Sequence, residues 1–304
     1  MSWVAGSSLP TITTTMTMSD PVPIVASLWG TLTGPLGDPL TRRALLEVCL
    51  IGITSGAVGC WTVLYGLSYS SESLSHSLLP GLVVATLAGA PLLLGGAAGI
   101  VVAALAIALV ARVPAITNDT AVAIVVTTMF GLGALLALSP SSPPGIQDLL
   151  FGDILGVSNA DLLFAAGAAV AALGALRLLH GQLLAVGFDR DGARALGASP
   201  ALAETALLIL IALAVLIGVQ GLGNLLVVAV LVGPAATARL ICTRLLPMMG
   251  VAAGVAILGG AIGLYVSYYA GTAAGASVAG ALVALFLLTA IASATSGRSA
   301  EVVL

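Results

Sequence analysis

Lysine is absent from this chain of 304 residues, and charged side chains make up only 7% of it. A nucleotide-binding loop of the G-x-x-x-x-G-K-[ST] type needs a lysine that reaches the phosphates, so this chain cannot carry that motif. The net charge of −3 and the lack of any basic tract argue against nucleic acid as a partner. With only two histidines, the chain also shows no grouping of nucleophile, base and orienting residue that would indicate an enzyme.

The shortage of charge is matched by an excess of hydrophobic side chains, which form 60% of the sequence. Soluble globular proteins carry roughly 25% charged residues, so the composition indicates an integral membrane protein. The three cysteines lie in apolar runs and do not form a disulfide framework. Strands of a membrane barrel would alternate apolar and polar residues, whereas these runs are apolar on every face. We therefore expect an all-α, multi-pass bundle in the lipid bilayer.

The charges divide the chain into apolar intervals whose lengths can be compared with that of a membrane crossing. An apolar helix needs roughly 20 residues, and the intervals hold about nine helices, or about eight if the crowded segment 201–242 is a single crossing. Glycines four residues apart allow close helix packing, although a glycine-rich chain also produces such pairs by chance. The predicted helices lie near 44–65, 69–89, 91–111, 121–138, 161–180, 201–219, 222–242, 247–268 and 277–294, and the glycine pairs are Gly52/Gly56, Gly95/Gly99, Gly250/Gly254 and Gly259/Gly263.

The arginines predict the orientation of this bundle, because cytoplasmic loops are rich in basic residues. With an odd number of helices and the N-terminus outside, only Arg42 and Arg43 fall on the outer side. The seven arginines of the inner side are Arg112, Arg177, Arg190, Arg194, Arg239, Arg244 and Arg298. The C-terminus is therefore expected in the cytoplasm.

The first 40 residues differ from the rest in being rich in Ser, Thr and Pro. They lack the basic and apolar regions of a signal peptide, so we expect a disordered extension over 1–40, or a translation start further along, at Met16 or Met18. The transmembrane domain then covers 41–295, and a cytoplasmic tail covers 296–304.

Most ionisable groups fall near the ends of predicted helices, where they need no special role. Arg43 and Glu47, four residues apart, are expected to form an interfacial ion pair. Arg177 and His180 are expected to end the fifth helix, and Glu204 to open the sixth, where the helix dipole favours an anion.

Glu72 and His76 are placed differently, because they stand inside a predicted span. They are four residues apart in ESLSHSLLPG (72–81) and therefore share one face of a helix, ahead of Pro80 and Gly81. A carboxylate oxygen and an imidazole nitrogen suit Mn²⁺, Zn²⁺ or Fe²⁺. The alternative is an interfacial carboxylate that is hydrogen-bonded to the histidine without any ligand.

Two side chains cannot fill a coordination shell. The remaining ligands of such an ion would come from water, from other helices or from a second copy of the chain. The other acids near predicted helix ends are expected to be solvated loop carboxylates; they are Asp119, Asp148 and Asp153.

Several motifs in a fixed order resemble the permease subunit of the manganese/zinc/iron ABC importers. The resemblance covers roughly 44–292, and two departures stand out: the family often has a basic residue where Tyr65 stands and Asp where Glu72 stands. The matching stretches are VGCWTVLYGLSYSSESLSHSLLPG (58–81), NDTAVAIV (118–125), LFGDILGVSNADL (150–162), GFDRDGARALGASP (187–200), GNLLVVAVLVGPAATARL (223–240) and GLYVSYY (263–269).

This resemblance implies a fold similar to that of the cobalamin-type importer permeases and a location in the plasma membrane. It implies a permease homodimer that works with a cytoplasmic ABC ATPase and an extracytoplasmic metal-binding protein. The transported ion would be Mn²⁺, Zn²⁺ or Fe²⁺, with no permanently bound cofactor. In the family the acid and histidine before L-P-G are regarded as transport-path ligands, and they correspond to Glu72 and His76.

The resemblance also implies a cytoplasmic coupling helix near 187–198 that docks on the ATPase. Asp189 suits its N-cap, Asp191 its first turn, Arg194 its last turn and Gly197 its end. Apolar docking contacts would come from Phe188 and Leu196. The alternative is an ordinary cytoplasmic loop.

Two other transport functions stay open. The first is a permease for a metal chelate or siderophore, although such chains usually have about ten spans and lack the acid and histidine motif. The second is a secondary metal transporter that works without an ATPase.

Overall fold

The computed structural model describes residues 34–110, 113, 115, 118–138, 152–195, 197–224 and 226–295. In these residues, a short 3₁₀ helix (Pro35–Gly37) precedes ten α-helices, nine of which have 13 residues or more. Within the described residues, six helices are long and apolar enough to cross a membrane. The helices are α1 (Pro39–Leu64), α2 (Ser68–Leu87), α3 (Leu92–Val110), α4 (Asn118–Ala137), α5 (Asn159–Phe188), α6 (Arg190–Ala195), α7 (Pro200–Leu222), α8 (Val227–Arg239), α9 (Leu245–Ala270) and α10 (Ala274–Thr295). The predicted all-α membrane bundle is confirmed.

Helix α1 begins earlier than predicted because a strong N-terminal signal precedes the apolar run. Asp38 accepts hydrogen bonds from the Thr41 hydroxyl at 3.0 Å and from the backbone N–H of Leu40 at 3.3 Å. These bonds hold the pKa of Asp38 below its usual value, the Thr41 hydroxyl being the main cause. Pro39 occupies the first turn, where a missing N–H costs nothing. The 3₁₀ turn and the start of α1 therefore fall inside the segment predicted as an extension.

Helices α5 and α8 depart most from their predicted lengths. Arg177 and His180 do not end α5, which continues to Phe188, so its 30 residues extend about 45 Å. Helix α8 has only 13 residues, about 20 Å, which is less than the hydrocarbon thickness of about 30 Å. It starts late because α7 ends at Gly223, whose φ of 78° breaks the helix. A non-helical turn therefore lies where the prediction placed the first residues of a spanning helix.

The helices pack as two groups, and α2 of the smaller group contacts α7 and α8 of the larger group. Helix α1 lies at the centre of the larger group and packs against α5, α7, α8 and α9, while α10 covers α9. Helix α2 packs against α3 and α4 and reaches the larger group through α7 and α8. Trp61 is fully buried in the main core beside Leu207 and Ile211. Helix α2 therefore contacts helices of both groups.

Three of the four predicted glycine pairs line close helix contacts. Gly52 and Gly56 face α9, and a Cβ on Gly56 would lie 2.6 Å from the backbone nitrogen of Ala253. Gly95 and Gly99 lie against α2, and Gly259 and Gly263 lie against α10. Gly250 and Gly254 are different, because no atom of the described residues comes within 4 Å of a Cβ built on either. Spacing alone did not distinguish the packed pairs from the open one.

Candidate metal site and coupling element

Helix α2 is unusually polar for a helix inside a membrane bundle, and its serines satisfy their own hydroxyls. Ser71 donates to the carbonyl of Ser68 at 2.7 Å, Ser75 to that of Glu72 at 2.8 Å, and Ser77 to that of Ser73 at 2.7 Å. Such bonds to the preceding turn allow a serine-rich helix to be buried without unpaired hydroxyls. Glu72 and His76 are the ionisable side chains of acid and imidazole type that this helix carries.

The side chains of Glu72 and His76 face each other without touching. The His76 Nε2 atom lies 4.0 Å from Glu72 Oε1, and their side chains are 23% and 55% exposed. That separation is longer than a direct hydrogen bond. Two ligand atoms about 2.1 Å from one tetrahedral ion lie about 3.4 Å apart, so these two atoms would approach by about 0.6 Å to share a divalent ion.

Pro80 changes the backbone next to this pair. A proline has no N–H, so the carbonyl oxygen of His76 receives no bond from the residue four positions ahead. Helix α2 nevertheless continues through Pro80 to Leu87. The Phe130 ring of α4 lies beside the imidazole, with the two ring centroids 4.7 Å apart. The histidine is therefore packed against an aromatic side chain of a second helix.

Asn224 is the residue of this site that sequence reasoning missed. It lies in the turn between α7 and α8, is fully buried, and places its Nδ2 atom 3.4 Å from His76 Nδ1. Its Oδ1 atom has no hydrogen-bond partner among the described residues. A signal is available in the sequence, because Asn224 and Gln220 are the two amide side chains of the apolar stretch 205–238, whose other hydrogen-bonding side chains are Thr205 and Thr237. Asn224 also lies within the family-like motif at 223–240, for which the sequence predicts no contact with the metal ligands.

The described residues contain no cluster of three or more His, Cys, Asp or Glu side chains that could hold a metal ion. Asp153 accepts a hydrogen bond from the Gly156 N–H at 3.0 Å, in keeping with a loop carboxylate. The side chain of Asp119 and the whole of Asp148 lie outside the described residues. Glu72 and His76 form an acid and imidazole pair whose nearest side-chain atoms lie 4.0 Å apart.

Glu47 does not form the predicted ion pair with Arg43. It is fully buried in α1, where neither carboxylate oxygen has a hydrogen-bond partner among the described residues, whereas Arg43 is exposed. The two residues are four apart, but the face of α1 that carries Glu47 packs against the end of α7, with Glu47 Oε1 close to Gly221. The packing of α1 against α7 therefore keeps the Glu47 carboxylate away from Arg43.

The coupling segment has the local structure that its residues predict. Asp189 Oδ1 accepts hydrogen bonds from the N–H groups of Asp191 at 3.1 Å and Gly192 at 2.9 Å, which caps α6. Arg194 contacts Asp191 at 3.0 Å. Gly197 ends the helix with a φ of 85° and donates to the Arg194 carbonyl at 3.0 Å. Leu196 lies outside the described residues, and Phe188 is 62% exposed.

Helix α6 is held to α7 by an ion pair, and α5, which leads into α6, is held to the end of α1 by a hydrogen bond. Arg190 forms an ion pair with Glu204, in the second turn of α7 and not at its first residue. Tyr65, where the family often has a basic residue, donates a hydrogen bond to the Leu183 carbonyl of α5 at 2.6 Å. A cavity of about 540 Å³ lies between these helix ends. It is lined by Leu64, Tyr65, Val186, Gly187, Phe188, Asp189, Arg190, Asp191 and Glu204.

Comparison with known proteins decides the family. The model of the ABC 3 transport family matches residues 37–293. This chain belongs to the ABC 3 transport family. The resemblance read from the ordered motifs is confirmed, and with it the assignment as a multi-pass permease of the plasma membrane rather than a catalytic subunit.

Two named relatives and one solved structure align with most of this chain. The manganese transport system membrane protein MntC of Listeria monocytogenes is 32% identical over 237 residues, which is 78% of this chain and 85% of that protein. The chelated iron transport system membrane protein YfeD of Yersinia pestis is 28% identical over 242 residues, 80% of this chain and 82% of that protein. The solved structure of PsaBC from Streptococcus pneumoniae in complex with Fab matches with a TM-score of 0.81 and 29% identity, covering 86% of this chain and 95% of that one.

Proposed function

We propose that this chain is the transmembrane subunit of an ATP-driven importer of divalent transition-metal ions, Mn²⁺, Zn²⁺ or Fe²⁺. The observation that carries the proposal is the pair of ligand atoms on α2, Glu72 Oε1 and His76 Nε2, separated by 4.0 Å inside a membrane bundle. Ionisable side chains within membrane segments are costly and mark transport paths. The names of the manganese and iron relatives support the same class of cargo.

The ion is cargo and not a resident cofactor. A site that must release its ion is better built from few protein ligands than from a complete cage. The 55% exposure of Glu72 leaves room for water to complete the shell and to be exchanged. We therefore propose a transient site, with access alternating between the two sides of the membrane.

ATP would be hydrolysed by a partner subunit, since this chain lacks the lysine of a nucleotide-binding loop. We place the docking surface for that ATPase on α6 and Phe188, together with Leu196. Two permeases would form a homodimer on two ATPases, and an extracytoplasmic binding protein would deliver the ion. The relative solved as PsaBC supports assembly with a second kind of subunit.

Glu72→Gln and His76→Gln should each abolish most ATP-dependent uptake. Each change keeps roughly the size of the side chain and replaces a carboxylate or imidazole with a neutral amide oxygen, a weaker ligand for these ions, and weakening one ligand of a two-residue site leaves little to bind the ion. The measurement is uptake of Mn²⁺, Zn²⁺ and Fe²⁺, each tested separately, in proteoliposomes that contain the permease, its ATPase and its binding protein.

Asp153→Asn is the matched control. It also neutralises a carboxylate, but its amide oxygen keeps the bond from Gly156 and it stands outside the α2 pair. Uptake at the wild-type rate in both α2 variants would overturn the site. Uptake that needs no ATP would favour a secondary transporter, and uptake only of a chelated ion would favour the chelate permease that the name of the Yersinia pestis relative suggests.

A further inference from the structure

The two nitrogens of the His76 ring face different neighbours. Nε2 faces Glu72 Oε1 at 4.0 Å, while Nδ1 lies 3.4 Å from Nδ2 of Asn224. The two ring nitrogens of an imidazole point in different directions. Asn224 therefore cannot share an ion held between Nε2 and Glu72, and it is not a ligand of that ion.

A ligating histidine needs a partner on its second nitrogen. A neutral imidazole has one N–H and one lone pair, and when Nε2 binds a metal the proton resides on Nδ1. Histidines that bind metals almost always donate this other N–H to an oxygen, which fixes the ring and its tautomer. The group that occupies this position for His76 is the carboxamide of Asn224.

The carboxamide can supply that oxygen without any movement of the backbone. It carries an acceptor and a donor at its two ends, and half a turn about Cβ–Cγ exchanges them. The acceptor, Oδ1, has no partner among the described residues, although the side chain is fully buried. A buried acceptor without a hydrogen bond is costly, so a bond from His76 would satisfy it.

The turn that carries Asn224 is held firmly against its neighbours. Gly152 packs on the backbone of residues 221–223, so close that a Cβ at this position would overlap it. On the other side, Gly218 lies against the side chain of Val227 at the start of α8. The backbone just before Asn224 is therefore closely packed, which places the amide to orient the imidazole.

We propose that Asn224 is a positioning residue for the cargo site: its Oδ1 accepts the Nδ1–H of His76 and thereby directs Nε2 toward the ion shared with Glu72. Without an ion, the same amide donates through Nδ2 to the bare Nδ1. The inference rests on the proposed function, because it deepens the assignment of Glu72 and His76.

Nitrogen-15 NMR of histidine-labelled full-length permease in lipid nanodiscs, titrated with Zn²⁺ alone, tests this inference. The chain has two histidines, so a His180→Gln variant assigns the His76 signals. In the wild type, we expect Zn²⁺ to give one His76 species with a protonated Nδ1 and a metal-bound Nε2. Asn224→Leu should lose this single species and weaken Zn²⁺ binding about 10–100-fold.

Asn224→Asp retains acceptor oxygens and should keep the wild-type tautomer and bind Zn²⁺ at least as well as wild type. Asn224→Ala replaces the leucine variant if that side chain is not accommodated, and the same loss is expected. An unchanged His76 signature and an affinity within twofold of wild type in the Leu or Ala variant would overturn the inference. So would binding through Nδ1 in the wild type.

Failure of the proposed function gives a different pattern. If Glu72→Gln and His76→Gln bind Zn²⁺ as tightly as the wild type does, the site itself is wrong. If they lose binding while Asn224→Leu retains it with the same signature, only the role of Asn224 is wrong.

Discussion

Glu47 lies fully buried in α1, and neither of its carboxylate oxygens has a hydrogen-bond partner among the described residues. A buried charge without a partner destabilises a fold by several kcal/mol, and even a neutral carboxyl loses its hydrogen bonds to water. Glu72, by contrast, is 55% exposed beside its histidine. The two acids lie in neighbouring helices, but Glu47 is buried, whereas Glu72 can be reached by an ion.

Glu47→Met should raise the stability of the permease by about 1–3 kcal/mol, because it removes buried polar atoms that have no partner and keeps the side-chain length. The measurement is the apparent melting temperature of the purified permease in nanodiscs. Glu204→Met is the control, since this carboxylate is paired with Arg190 near the surface and should give no gain. A lower melting temperature for Glu47→Met would contradict the prediction.

At the scale of the elements, the helices are held at short distances by glycine and not by large apolar side chains alone. Helix α1 approaches α9 at Gly56 and α8 at Gly59, where an added Cβ would meet backbone atoms of the partner helix. Lipid tails are as apolar as leucine, so close backbone packing replaces the hydrophobic drive that assembles soluble helices. The position of α1, and with it the end of α7, depends on these contacts.

Gly56→Ala should destabilise the bundle, because its methyl group would press on the backbone of α9 at Ala253. An overpacked core costs about 1–3 kcal/mol. Gly250→Ala is the matched control: its methyl group meets no atom of the described residues within 4 Å, and alanine favours a helix over glycine by about 1 kcal/mol. Thermal unfolding of both variants in nanodiscs checks this prediction, which fails if Gly56→Ala is the more stable of the two.

At the scale of the whole molecule, α7 connects α6, the proposed coupling helix, with the candidate metal site. Near its start, Glu204 is paired with Arg190 of α6, and directly after its end, Asn224 meets His76. The ion pair is partly exposed, so it stabilises the fold by no more than about 1 kcal/mol. The position of this ion pair matters more than its energy. It joins α6 to α7, so a movement of α6 would also move α7, which ends beside the candidate metal site.

Phe188→Asp should release or uncouple the ATPase while the permease still inserts in the membrane. The phenylalanine is 62% exposed beside α6, and a charge there removes apolar docking area. The expected result is loss of ATPase co-purification and at least a tenfold fall in transport-coupled ATP hydrolysis, corresponding to about 1.4 kcal/mol of docking energy. Phe188→Leu keeps an apolar side chain and should retain both; normal coupling in the aspartate variant would exclude this docking surface.

The helices, the coupling segment and the α2 pair could be predicted because each depends on nearby residues. Asp189 and Gly197 specify the ends of α6 through capping and a left-handed turn, and these bonds formed as expected. The lengths of α5 and α8, by contrast, could not be predicted accurately from the sequence. Hydropathy does not show that α5 continues beyond His180 or that Gly223 ends a helix inside an apolar stretch.

The sequence by itself determined the membrane class, the order of the helices, the capped helix α6 and the common face of Glu72 and His76. Only the tertiary structure decided that Asn224 meets His76 across 148 residues, that Glu47 leaves Arg43 for the end of α7, and that Gly250 faces open space while Gly56 packs on α9. Local patterns arise from composition, helical period and capping, which act within a few residues. Contacts between distant helices depend on how all the helices pack together, and nothing in a single stretch of sequence encodes that arrangement.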